Sequence, residues 1–183
     1  IRYDPQYGGQ GLDYWYDTVF LEELGRIQGS GIPMAIAVQS HMATPALAEF
    51  GSEYIKETYL KPAIAGDMVA SIAVTEPGAG SDVSALQTTA KKDGDSYIIN
   101  GSKTYITNGT QADFLTLLAR TSEDPGYHSF SLLVVPTDLP GFQVSRKLNK
   151  MGCHSSDTAE LFFDDMKIPA ANLIGQEGEG FIY

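Results

Sequence analysis

The 183-residue sequence has a single cysteine, Cys153. No disulfide can close within it, which points to a reducing intracellular setting. A lone cysteine is read first as a small packed residue, ahead of a catalytic thiol. Histidine is scarce too. His41, His128 and His154 share no metal-ligand spacing with one another or with Cys153. Cationic residues are outnumbered, 12 Lys and Arg against 23 Asp and Glu, for a formal net charge of −11. No basic patch stands out, which argues against nucleic acid as the main partner. An anionic ligand would have to be met locally, by backbone N–H groups, hydroxyls and a few cations. No apolar run is long enough to cross a membrane, and no leader segment is visible. The chain opens on Ile1 and stops at Gly180-Phe-Ile-Tyr183, which reads as the start of a helix in a longer protein.

Nineteen glycines and nine prolines imply many turns. Two textures divide the chain. From Leu12 to about Ala65 it is helical, with Tyr16, Val19, Phe20, Leu24 and Ile27 at helix spacing opposite Glu22, Glu23 and Arg26. Gly29 to Pro33 breaks this helix; Thr44 reads as an N-cap before Pro45, and Ser52 as the start of another helix. After Gly66 short strands follow. Asp93-Gly94-Asp95 predicts a hairpin, and Asn100-Gly101 a type I′ turn. The polar stretch 121–129 predicts a loop. The fold class expected is α+β, an N-terminal helical segment followed by a closed antiparallel β-barrel or sandwich. The divisions expected are 1–66, the end of a helical domain; 67–176, the β-domain; and 177–183, the start of a third.

Two segments stand out. Residues 72–83 read Ile-Ala-Val-Thr-Glu-Pro-Gly-Ala-Gly-Ser-Asp-Val. A β-branched run ends at Thr75, and a turn with two bare glycines follows, a setting in which backbone can approach a ligand closely. It is not a Rossmann fingerprint: the third glycine is missing, and residues 84–92 lack a helical period. A Gly-x-Gly is more often only a turn. The second segment, Asn100-Gly-Ser-Lys-Thr-Tyr-Ile-Thr-Asn-Gly109, ends its strand in Thr107 just before a turn, as the first ends in Thr75. Two such strand ends can converge on one ligand.

Together with Lys150-Met-Gly-Cys-His-Ser-Ser-Asp-Thr-Ala-Glu-Leu-Phe-Phe-Asp-Asp165, Ile168-Pro169-Ala170 and Leu173-Ile174-Gly175, these segments resemble the acyl-CoA dehydrogenase family in order and spacing. The stretch 157–165 and the ending 180–183 look most like its long-chain branch. The resemblance implies FAD lying against the β-domain. Ile72, Ala73, Val74 and Thr75 would form one wall of the flavin site, and Tyr105, Ile106 and Thr107 the other. Thr107 sits where the family donates a hydrogen bond to flavin N5; Tyr105 stands where many members carry Trp. Gly80 and Ser81 would approach phosphate or the pantetheine arm of acyl-CoA.

On the substrate side the resemblance places Tyr127 and His128 near the CoA moiety, with a solvent-facing loop as the alternative for His128. It places Val38, Gln39 and Met42 along the acyl cavity, with plain helix packing as the alternative. Glu76 is read as structural, holding its turn by hydrogen bonding, and Asp82 as a turn cap. Lys103, Glu160, Asp164 and Asp165 are read as solvated surface charges. The family's base is a glutamate in a C-terminal helical domain, expected beyond Tyr183, so no catalytic residue is assigned here and the fragment alone is expected to be inactive.

The implied activity is α,β-dehydrogenation of an acyl-CoA thioester to the trans-2-enoyl-CoA, with electrons passed to an electron-transfer flavoprotein. The implied assembly is a homotetramer, and the implied location bacterial cytoplasm or mitochondrial matrix. An acyl-CoA oxidase would share the motifs. A non-catalytic binding module is the alternative from another class.

Overall fold

The computed structural model describes residues 1–124 and 126–183; Pro125, part of the expected polar loop, lies outside the described residues. Helices come first. Helix α1 (Tyr14–Leu24) is capped by Asp13, whose carboxylate accepts from the Trp15 N–H at 3.0 Å. Helix α2 (Gly31–Ala37) runs into a wider π turn, Val38–Ala43. Helix α3 (Pro45–Phe50) follows, then α4 (Glu53–Ile55), capped by Ser52. A second π turn, Lys56–Leu60, leads to α5 (Lys61–Ala65), ended by Gly66 at φ +87°.

Thr44 does not cap as expected. Its hydroxyl donates to the Gln39 carbonyl and pairs with Tyr3, tying the N-terminal stretch to the helices. The apolar stripe of α1 is not a core face either. Tyr16 and Val19 are both 58% exposed, and only Asp17 and Leu24 of this helix are buried.

Eight strands follow: β1 (Ala70–Ala73), β2 (Thr89–Asp93), β3 (Ser96–Thr107), β4 (Phe114–Arg120), β5 (Phe130–Pro136), β6 (Phe142–Lys147), β7 (Thr158–Pro169) and β8 (Leu173–Ile174). They form one sheet in the order β6-β7-β3-β2-β4-β5-β8, with β1 also on β4. The expectation of a closed antiparallel barrel is overturned on both counts. β1 and β2 pair with β4 in parallel, and among the described residues no ladder joins the end strands β6 and β8. The physical reason lies in what covers the sheet. Alternation along β4 sends Phe114 and Leu118 to one face and Leu115, Leu117 and Ala119 to the other. The first face packs on Leu47, Ile55 and Leu60 of the helical segment. The second is covered by the curled sheet itself, through Ile99, Ile106, Leu161 and Phe163. Helices supply the burial that closure would otherwise provide.

The Asp93-Gly94-Asp95 turn forms as expected, with Gly94 at φ +58°. The Asn100-Gly101 turn does not. β3 passes straight through both residues against β7, and the irregularity is a bulge with its extra residue on β7. Asp165 takes the left-handed conformation there, at φ +45°, and the Asn100 amide brackets it with two hydrogen bonds of 2.9 Å. A second bulge sits further along, between Lys103 and Ile106, with its extra residue on β3. Tyr105 is the left-handed residue of that one, at φ +59°.

Candidate functional site

The second bulge positions the site. Along β3, Tyr97, Ile99 and Lys103 fall on the inward face, and all three are almost fully buried. Strict alternation would turn Tyr105 inward as well. The bulge rotates it out, leaving it 69% exposed, and returns Ile106 to the core. The end of β1 lies alongside. The Thr104 N–H donates to the Thr75 carbonyl at 2.9 Å, and the Ser71 hydroxyl donates to the Thr107 carbonyl. After Thr107, Asn108 at φ +64° anchors the turn beneath α2 by donating to the Ala35 carbonyl at 3.3 Å.

The result is a cavity of about 260 Å³ where three elements meet. Ile72 comes from β1, Val74 and Thr75 from the segment directly after it, and Tyr105, Ile106 and Thr107 from the end of β3. Met34, Val38 and Met42, from α2 and its π turn, form the third side. The volume suits one ring system rather than a whole dinucleotide, given that sites for complete ligands run to roughly 300–1,000 Å³. Among the described residues, the Thr75 N–H and the Thr75 and Thr107 hydroxyls have no hydrogen-bond partner. No charged side chain lines the cavity. An apolar slot whose lining includes free donors fits a flat heteroaromatic group whose edge carries acceptors.

Not every expected residue joins it. Ala73 is buried in the core behind the wall. Gly80 and Ser81 are exposed on the turn beyond Pro77, outside the lining. A Cβ on Gly78 or Gly80 would meet nothing within 4 Å, so these glycines border open space. Asp82 caps the following turn as expected, accepting from the Ser84 N–H at 3.1 Å. Gln39 points away from the cavity. Its amide donates to the Ala63 and Met68 carbonyls and accepts from the Ala70 N–H, stitching helix to sheet.

Tyr127 and His128 lie elsewhere, with Tyr127 stacked on Phe181 at 4.3 Å and His128 3.5 Å from Glu179. Arg120 links that region to the turn after Ser81, donating to the Ser129 hydroxyl at 2.7 Å and the Ser84 carbonyl at 3.2 Å. A larger cavity of about 490 Å³ lies by Glu76, Pro77, Gly78 and residues 100–102, and contains none of the expected site residues. Cys153 is exposed rather than packed, in a loop where it takes φ +53°.

One expectation fails in an informative way. Lys103 is not a solvated surface charge; it is fully buried. Its ammonium donates to the Val74 carbonyl at 2.8 Å and to Glu76 Oε1 at 2.9 Å. Glu76 holds its turn as expected, and its carboxylate also accepts from the Gln87 N–H at 2.7 Å and the Thr88 N–H at 2.9 Å. The two partners answer differently. For Glu76, burial works to raise the pKa, but the Lys103 charge and the N–H donors outweigh it and hold the carboxyl below its ordinary value. For Lys103, burial dominates and pushes the ammonium down to about 8 against the pull of Glu76. Glu76 alone opposes burial at Lys103, whereas Lys103, Thr88 and Gln87 together oppose it at Glu76. The charged pair is therefore the state at neutral pH. The signal for Lys103 was in the sequence, because it shares the period-2 face of Tyr97 and Ile99. Met34 carried a signal as well, standing four residues before Val38 and eight before Met42 on one helical face, and the path of α2 brings that face to the cavity.

Comparison with known proteins gives the family. The model of the acyl-CoA dehydrogenase N-terminal domain matches residues 1–67, and that of the middle domain matches residues 71–166. The chain belongs to the acyl-CoA dehydrogenase family.

Among its relatives is the mitochondrial isovaleryl-CoA dehydrogenase of Pongo abelii, 40% identical over 177 residues, covering 96% of this chain and 42% of that protein. The mitochondrial long-chain specific acyl-CoA dehydrogenase of Sus scrofa is 39% identical over 185 residues, covering 100% and 43%. Identity at these levels does not favour the long-chain branch of the family over the isovaleryl one. Among solved structures, the acyl-CoA dehydrogenase of Geobacillus kaustophilus superimposes with a TM-score of 0.94 at 47% identity, covering 100% of this chain and 48% of that one. An FAD complex of PigA superimposes at 0.95 with 31% identity, covering 99% and 48%. The chain thus spans about half the length of the acyl-CoA dehydrogenase relatives it matches. Among the described residues, no helix is long and apolar enough to cross a membrane, and no cluster of His, Cys, Asp and Glu could hold a metal ion.

Proposed function

We propose that the full-length protein is an FAD-dependent acyl-CoA dehydrogenase, and that this chain supplies the flavin-facing wall of its site. The observation that carries the reading is the convergence of Thr75 and Thr107, with unpartnered hydroxyls, on one apolar cavity. FAD, when bound, supplies the hydride acceptor for the β-carbon of the thioester. The Thr75 N–H and hydroxyl and the Thr107 hydroxyl donate to the polar edge of the ring. Neutral donors of this kind stabilise growing negative charge without placing a full cation in the site. Val74 and Ile106 hold the ring's apolar body, and Tyr105, rotated out by the bulge, packs against it in place of a tryptophan.

Met34, Val38 and Met42 give the acyl side an apolar surface, with long-chain acyl-CoA the first substrate to test. Gly80 and Ser81 take the pantetheine or phosphate portion, and Tyr127 and His128, next to the Ser129 that Arg120 ties to Ser84, lie toward the CoA moiety. The proton-abstracting glutamate is supplied by the part of the protein that follows residue 183. A homotetramer that passes electrons to an electron-transfer flavoprotein completes the proposal.

The test uses full-length protein loaded with FAD under anaerobic conditions. Addition of acyl-CoA should bleach the oxidised flavin and yield the enoyl-CoA, with turnover sustained by an electron-transfer flavoprotein. Rapid peroxide formation with oxygen as sole acceptor would establish an oxidase instead. Failure to take up FAD would leave a binding module.

A further inference from the structure

We propose that the buried Lys103–Glu76 pair is a positioning device that orients and polarises the Val74–Thr75 peptide toward the flavin, and so tunes the flavin's reduction potential. The inference rests on the FAD reading of the cavity.

Val74 and Thr75 both line the cavity, and the Val74 carbonyl is tied to the Lys103 ammonium at 2.8 Å. In a trans peptide the carbonyl and the next N–H point in opposite directions. With the carbonyl drawn back to Lys103, the Thr75 N–H is aimed away from it. That N–H has no partner among the described residues. A donor on a carbonyl also polarises the peptide and strengthens the N–H on its far side as a donor. Lys103 thus acts on the cavity through one peptide group without entering it.

The pair is held from both directions. Lys103 is fixed within β3, and Glu76 accepts from Gln87 and Thr88 on the chain that leads into β2. Filling space does not require charges there. An apolar pair of similar volume is often as stable as a buried ion pair, because both charges must be stripped of water. Two charges held behind a cavity with no charged lining among the described residues act on its contents through a low-dielectric wall, which an apolar pair would not do.

The experiment compares full-length wild type, Lys103→Met, Glu76→Gln and the double variant, each loaded with FAD, by spectroelectrochemical titration. Thermal melting of the apo forms is followed in parallel. Lys103→Met removes a positive charge and should make the potential more negative. Glu76→Gln removes a negative charge and should make it more positive. Each shift should reach at least threefold in the reduced-to-oxidised ratio at fixed poise, about 14 mV for a two-electron couple. The double variant should return toward wild type.

A purely structural role lowers apo stability in both single variants but does not move their potentials in opposite directions. Unchanged potentials, or shifts of one sign in both, overturn the inference while leaving FAD binding intact. A wild type that takes up no FAD overturns the reading of the cavity, and the inference with it. If Lys103→Met does not fold, the positive shift of Glu76→Gln and its reversal in the double variant decide the matter.

Discussion

On β3, Lys103 is turned into the core and Tyr105 is turned out of it, although both stand at the same phase of a strict alternation. The single inserted residue of the bulge separates their fates. Tyr105 takes a left-handed conformation that costs a non-glycine residue about 1 kcal/mol or more. Lys103 accepts burial because Glu76 and the Val74 carbonyl meet its charge. The Glu76 carboxyl is held below its ordinary 4.5. A depressed carboxyl contributes stability above its unfolded pKa and loses it as pH falls through the folded value. Glu76→Gln should therefore destabilise by roughly 3–5 kcal/mol at neutral pH. The gap to wild type should narrow below pH 4.5, measured by urea denaturation at several pH values. A gap independent of pH contradicts the assignment. At this scale the motif residues were legible and their environments were not. Charge alone suggested a solvated Lys103, whereas the strand alternation, taken literally, would have buried it.

The element that organises the site is the β3–β7 ladder with its two bulges. Sequence reading expected short strands after Gly66, because β-branched and aromatic runs separated by Gly, Asn and Asp mark them well. It split β3 at Asn100-Gly101, because a two-residue hairpin loop and a glycine inside a long strand share the same local signature. What distinguishes them is tertiary. Gly101 sits at φ +147°, and a Cβ there would come within 2.5 Å of the Thr88 hydroxyl and 2.8 Å of the Thr88 Cα. Gly101→Ala should therefore cost about 2–3 kcal/mol, from strain and a backbone clash together. Gly94→Ala, at the true hairpin and φ +58° with nothing within 4 Å, should cost only about 1 kcal/mol. Urea midpoints of the two variants check the ranking. Equal losses would mean that Gly101 is not pressed against the start of β2. Helix α1 makes the complementary point. Its apolar periodicity was read correctly as helical, but periodicity does not say which face is covered, and Tyr16 and Val19 remain exposed.

For the molecule as a whole, a helical segment and one open, curled sheet share a seam. It is sealed by Leu47, Ile55 and Leu60 against Phe114 and Leu118, and by the Thr116 hydroxyl donating to the Ala43 carbonyl at 2.6 Å. The order of a helical segment before a sheet was legible from the change of texture near residue 66, but the parallel pairs of β1 and β2 with β4 were not. Closure was not, because pairing at sheet edges depends on which faces the helices already cover. The family was legible from three motifs in order, while the cavity's third side, Met34 with Val38 and Met42, depends on how α2 crosses the strand ends. The central claim is that Thr75, just past β1, and Thr107, at the end of β3, face one flavin site. Equilibrium titration of full-length wild type and Thr107→Val with FAD tests it most directly. The account predicts a tightly bound flavin in the wild type and at least tenfold weaker binding in the variant, about 1.4 kcal/mol or more, as expected for a lost hydrogen bond to a polar ring edge. Equal affinity in the two proteins, with the variant fully folded, would contradict it.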